Sequence, residues 1–196
     1  MSEGYRRYEA LHGKGRRPPP HEDVTIEQLT AMNHTVTACL VPYADFAIWG
    51  PHGHRIERKM RFTGSVFNAD GSLRTVEIMG PPNFEAWSSC FGVLATAYIM
   101  LDIVDLGTLI QYRQHMEKLH SRYGVETWVM LYQADTRFRL EHLTRIKRRL
   151  ADEHKVAVDA GRSTPFDPAR PWNYSYSMGI SDAEWWRDEV NEPALL

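Results

Sequence analysis

Residues 83–124 read NFEAWSSCFGVLATAYIMLDIVDLGTLIQYRQHMEKLHSRYG, and the spacing of their apolar side chains decides the fold. Asn83 is placed to cap a helix whose Phe84, Trp87, Phe91, Leu94, Tyr98 and Leu101 recur at helical intervals and cover one broad face. The apolar run from Cys90 to Leu101 falls short of the roughly 20 residues that span a bilayer, and Asp102 and Asp105 end it, so it predicts a core helix. Asp105 can cap a second helix carrying Leu109, Ile110, Met116, Leu119 and Tyr123, with Gly124 as its left-handed stop.

Toward the C-terminus a third helix is expected over about 126–155, with Trp128, Leu131, Tyr132, Leu143, Ile146 and Leu150 on its apolar stripe. At about 100° per residue, Asp135, Arg139 and His142 fall on the same stripe. Beyond Gly161 the chain turns proline-rich, and SDAE, with Ser181 as cap and Glu184 as its partner, opens a short amphipathic helix bearing Trp185, Trp186 and Val190. Toward the N-terminus, RKMRFTGSVF and SLRTVEIMG alternate on either side of Asp70-Gly71, which predicts a hairpin over about 58–79. Pro42 breaks the run TVTACLVPYADFAIW into two short extended pieces, and Thr25 with Gln28 opens a short helix upstream.

The expected fold is therefore mainly α with a β-hairpin (α+β): a bundle of three main helices, preceded by the hairpin and followed by the short amphipathic helix. Residues 1–22, which lack an apolar period and contain Gly13, Gly15 and Pro18–Pro20, are expected to be a mobile basic arm; 23–158 form the main domain and 159–196 an aromatic tail. Behind Arg6, Arg7 and Lys14 no apolar stretch follows, so no secretory signal is expected. With only Cys39 and Cys90 available, an intracellular, reducing compartment is the expectation.

Asp135 and Arg139 stand i, i+4 with the acid first, the better orientation for a helical ion pair, and both face the core. A structural salt bridge that fixes how the helix docks is the expected role. The functional alternative, a base or metal ligand at Asp135 with His142 two turns on, requires a pocket that no motif defines. Two groups of cations are candidate contacts for RNA or another anion: Arg6, Arg7, Lys14, Arg16 and Arg17 in the arm, and Arg137, Arg145 and Arg148 on the third helix. The helical group also suits the negative end of the helix dipole. Trp172, Tyr174, Trp185 and Trp186 carry more apolar surface than a free tail tolerates, so they dock either on their own domain or at an interface with a neighbour.

No metal or cofactor is expected. His52 and His54, in HGH, and His21 and His34 lack ligand spacing, and His115 and His120 point about 140° apart on a helix. The chain contains no GxGxxG, P-loop, GxSxG or HExxH pattern.

In SVFNADGSLRTVEIMGPPNFEAW (65–87), YGVETWVMLYQADTRFRLEHL (123–143), FDPARPWNYSY (166–176) and DAEWWRDEVNEPALL (182–196), the chain resembles the Gag-like reading frames of dinoflagellate retroelements. That resemblance implies a helical, capsid-like or RNA-packaging domain, often ahead of a Cys/His knuckle. This chain departs from the pattern there, since two cysteines cannot build the knuckle. The expected function is a noncatalytic assembly or RNA-associated domain whose partner is itself or another subunit. An accessory subunit of a large complex is the second reading. The third is an enzyme built on Asp135, Arg139 and His142, which requires the three to meet in an open cleft.

Overall fold

Asn83 caps helix α3 (Phe84–Met100) through its side-chain oxygen, which accepts the Ala86 N–H at 2.9 Å. The computed structural model describes residues 2–51 and 59–195, and α3 is its axis. From Trp87 to Met100 nearly every side chain is buried, with apolar positions on all sides rather than on the one broad face expected from spacing. A helix apolar all round must be wrapped by others. Around it lie α1 (Ser2–His12), α2 (Ile26–Thr37) and α4 (Leu106–Tyr123).

The N-terminal arm is the first correction. Residues 2–12 form α1, which packs on α3 with Tyr8 buried and Gly4 so close to Met100 that a Cβ would lie 2.8 Å from the methionine methyl. A glycine and two tyrosines on one face supply the docking surface, in a segment too short and polar to show a hydrophobic period. The expected capping box at α2 is formed, with Gln28 N–H donating to Thr25 Oγ1 at 3.2 Å and Thr25 N–H donating to Gln28 Oε1 at 3.1 Å. The run after it corrects a second expectation. Thr35–Thr37, expected in the first extended piece, complete α2, Cys39 turns the chain with φ 59°, and 40–49 hold a turn at 46–48 and no strand.

Strands β1 (Arg61–Phe67) and β2 (Leu73–Met79) pair antiparallel from Arg61↔Met79 to Phe67↔Leu73. The turn is where Asp-Gly places it: Gly71 has φ 82°, and Asp70 Oδ1 accepts the Ser72 N–H at 2.9 Å. Phe62, on the inward face, meets Tyr132 edge-on at 6.4 Å. Leaving the hairpin, Gly80 takes φ 146° against the Tyr132 ring, where any Cβ would lie 2.3 Å from a ring carbon.

The third helix is segmented. A 3₁₀ turn (Val125–Thr127) leads into α5 (Trp128–Arg137), a π turn (Phe138–His142) and α6 (Leu143–Asp159). At the π turn the Leu143 N–H reaches back to the Phe138 carbonyl. The tail is the third correction, because besides the expected short helix, α8 (Ala183–Trp186) with a second π turn (Arg187–Asn191) and a 3₁₀ turn (Pro193–Leu195) after it, it holds an unforeseen helix before it, α7 (Pro171–Ile180). Pro171 occupies the first turn of α7, where its missing N–H costs nothing, so a residue that reads as a breaker is a helix start. Asp182, not Ser181, caps α8, its carboxylate accepting the Trp185 N–H at 3.2 Å.

One apolar cluster joins Tyr8 of α1, Phe46 of the loop, Trp87 and Tyr98 of α3, Tyr112 of α4, Leu131 of α5 and Trp172, Tyr176, Trp186 and Val190 of the C-terminal segment. Arm, main domain and tail share this core. Among the described residues no helix is long and apolar enough to cross a membrane.

Candidate functional site

Asp135, on the last turn of α5, and Arg139, in the π turn, lie at the centre of the core with side chains 0% and 1% exposed. Arg139 donates from Nε at 3.1 Å to each carboxylate oxygen and from Nη2 at 2.9 Å to Oδ2, while Nη1 donates to the Ala44 carbonyl at 2.7 Å. Tyr112 OH donates to Asp135 Oδ1 at 2.7 Å. The guanidinium lies over Phe46, 3.8 Å from the ring centroid, and 5.1 Å from that of Tyr43. Burial alone would lower the Arg139 pKa, but the bonded Asp135 carboxylate holds it above its ordinary value. Burial and then the Asp135 charge push the Tyr112 hydroxyl well up, so it stays a neutral donor.

A second hydroxyl pair adjoins this one. Tyr98 OH bonds the Pro42 carbonyl and lies 3.3 Å from Tyr176 OH. These contacts pin the loop 42–46 to α3, α4, α5 and α7. The stripe read from the sequence omits Tyr112, although it falls between Leu109 and Met116; a tyrosine on a buried stripe requires a partner for its hydroxyl, and that was the available signal.

His142 does not join Asp135. Its Nε2 lies 3.0 Å from Asp182 Oδ2, its ring stacks on Trp185 at 4.6 Å, and its Nδ1 is buried without a partner. Burial lowers its pKa, outweighing the opposite pull of Asp182. On α4, His115 faces Trp186 at 4.4 Å with a buried, unpartnered Nε2, and burial together with nearby Lys118 brings it down to about 4. The trio on which the enzyme reading depends is thus split between two places, and its charged pair is sealed.

Of the two places expected for the tail aromatics, Trp172 and Trp186 take the first and pack on the chain's own core. Trp172 and Trp186 are 3% and 2% exposed, and Trp186 Nε1 donates to the Gly179 carbonyl at 3.0 Å. Trp185 is half-buried on the same core and Tyr174 on a smaller cluster of Ile146, Leu150 and Phe166. The cations divide. Arg7 pairs with Glu3 and bonds the Met100 carbonyl, Arg17 pairs with Glu9, Arg137 with Glu189 at 2.7 Å and Arg145 with Glu141 at 3.3 Å. Arg6, Lys14, Arg16 and Arg148 are exposed and, among the described residues, have no carboxylate partner. Arg137, Arg145 and Arg148 accordingly do not form a continuous bare stripe.

Among the described residues no three of His, Cys, Asp and Glu converge as metal ligands; His52 and His54 lie outside those residues. Two broad clefts open on the surface. One, of about 730 Å³, lies between the inward face of the hairpin and α5, lined by Val66, Val76, Val129 and Met130. The other, of about 650 Å³, runs between the loop after α2 and α6, lined by Leu40, Val41, Leu140 and Lys147. Comparison with protein-family models, with curated proteins and with solved structures finds no match to this chain.

Proposed function

We propose that this chain is a noncatalytic assembly domain of an intracellular, Gag-derived kind, which binds copies of itself or another protein and contacts RNA through its bare cations. The observation that carries this reading is the placement of its ionisable groups. The strongly coupled set of Asp135, Arg139 and Tyr112 is closed to solvent, whereas the surface clefts are lined mainly by apolar side chains, and the charged ones at them, Arg74 and Glu126 in one and Lys147, Arg148 and Asp152 in the other, form no ion pair with each other. Groups that cannot meet a substrate serve the fold, and apolar clefts serve recognition.

Trp172 and Trp186 are taken up by the chain's own core, and surfaces open to assembly include the clefts and the outward hairpin face, where Phe67 and Leu73 stand 74% and 63% exposed as a cross-strand pair. RNA contact falls to Arg6, Lys14 and Arg16 near the N-terminus.

Light scattering with the ratio of absorbance at 260 and 280 nm, taken on the purified chain in low and then high salt, tests the proposal. Particles larger than a monomer, or nucleic acid that leaves as salt rises, are expected. A nucleic-acid-free monomer at both salts overturns self-assembly and favours the second reading, an accessory subunit that uses the same clefts on a different protein.

A further inference from the structure

Helix α6 has two unlike flanks. On one, Arg145 pairs with Glu141 at 3.3 Å and Arg149 with Glu153 at 3.7 Å, so the charges cancel along the helix. On the other, Lys147 and Arg148 have no carboxylate within ion-pair distance among the described residues, although Asp152 stands one turn beyond Arg148. Lys155 continues this flank two turns after Arg148. Lys147 and Arg148, with Asp152 as the one acid beside them, rim the cleft of about 650 Å³ whose wall and floor are Leu40, Val41, Leu140 and the buried Trp172.

Leu40 and Leu140 are 60% and 40% exposed, facing a concave surface. Two large aliphatic side chains in solvent beside two unpaired cations and one acid make a site that is apolar in its floor and net positive at its rim. Lys147 Nζ sits 5.7 Å from the centre of the Trp172 ring, which holds the ammonium at the cleft edge rather than free in solvent.

We infer that this cleft docks an acidic amphipathic helical segment of a partner protein, its aliphatic anchors seated on Leu40, Val41 and Leu140 and its carboxylates facing Lys147 and Arg148. Charge complementarity chooses the sign of the partner, and the apolar floor chooses its class. A single-stranded nucleic acid would need exposed aromatic faces on which bases stack, and of the two aromatics lining the cleft Trp172 is 3% exposed while Tyr43 is half-buried with the Arg139 guanidinium over its ring. An amphipathic helix instead supplies an apolar stripe for the floor and a charged edge for the rim. This inference rests on the assembly reading and gives it a partner class. Self-association and peptide binding are measured separately, so either can fail alone.

The test uses the full chain and fluorescence anisotropy of a labelled synthetic peptide with leucines at i, i+4 and i+7 and glutamates between them, beside an oligouridine probe and a peptide in which glutamine replaces glutamate. The glutamate peptide is expected to bind. Its affinity should fall by about tenfold or more in Lys147→Glu/Arg148→Glu and in Leu40→Ser/Leu140→Ser, and in the glutamine peptide, each about 1.4 kcal/mol or more. All four positions face the cleft from the surface, and thermal unfolding of each double variant checks that the fold is kept. Absence of peptide binding, or affinity unchanged in both variants, overturns the inference. Oligouridine binding that is lost on charge reversal yet indifferent to the leucine changes also overturns it, assigning the band to nucleic acid.

Discussion

Asp135 and Arg139 illustrate what a buried ion pair contributes. Desolvating both charges costs several kcal/mol, and their mutual bonds, with Tyr112 and the Ala44 carbonyl, offset that cost only while every partner is present. Asp135→Ala should therefore lower stability by about 3–5 kcal/mol in urea unfolding, because it strands the Arg139 charge and the Tyr112 hydroxyl together. Replacing both with Asp135→Leu/Arg139→Met should cost less than the sum of the single changes. Additive costs in that cycle would contradict a coupled pair.

His115 and His142 are the residues through which pH acts on the fold. Burial favours their neutral forms, so each has a lower pKa folded than the ordinary 6.5 it returns to when unfolded. Between those values the unfolded chain binds more protons, and stability rises with pH. The contribution is fully present above 6.5 and is lost as pH falls toward about 4, the His115 value. Denaturant midpoints from pH 7 to pH 4 should fall, and His115→Leu should flatten the curve; an unchanged slope in the variant would show that His115 does not titrate against the fold. The sequence carried the histidines and not their burial.

The elements differ in how much of them could be foreseen. Local chemistry suffices for the hairpin turn at Asp70-Gly71, for the caps Thr25 and Asn83 and for the stop at Gly124, since each depends on residues within a few positions. Helix α7 could not be read that way. Its start at Pro171 resembles a breaker, and its packing depends on Gly179, where a Cβ would lie 2.6 Å from the Phe138 ring and 3.1 Å from Ile146. Gly179→Ala should thus destabilise the fold by about 1–3 kcal/mol, even though alanine is the better helix former. A stabilised Gly179→Ala in thermal unfolding would mean that α7 stands off from the π turn. Trp186→Ala, which empties a fully packed site between Phe138 and His115, should cost about 3–5 kcal/mol independently of protein concentration. A concentration-dependent loss would instead return Trp186 to an interface between copies.

The chain as a unit closes both ends onto one core: Tyr8 near the N-terminus and Trp186 and Val190 near the C-terminus belong to one apolar cluster. Deleting residues 1–22, which a free arm would tolerate, should lower the melting temperature, and tryptophan fluorescence and far-ultraviolet circular dichroism of the full chain should report one coincident transition. An unchanged melting temperature would release α1 from the core. Apolar periodicity, turn chemistry and the i, i+4 spacing of Asp135 and Arg139 were determined by the sequence itself, because each is a relation among near neighbours along the chain. Only the tertiary structure decided that α1 docks, that Trp172 and Trp186 turn inward, that His142 pairs with Asp182 rather than Asp135, and that Lys147 and Arg148 stand unpaired over a cleft with an apolar floor. Each of those joins residues far apart in the chain, and the free energy that selects the partner is the burial of surface those residues present to one another only after the chain has folded.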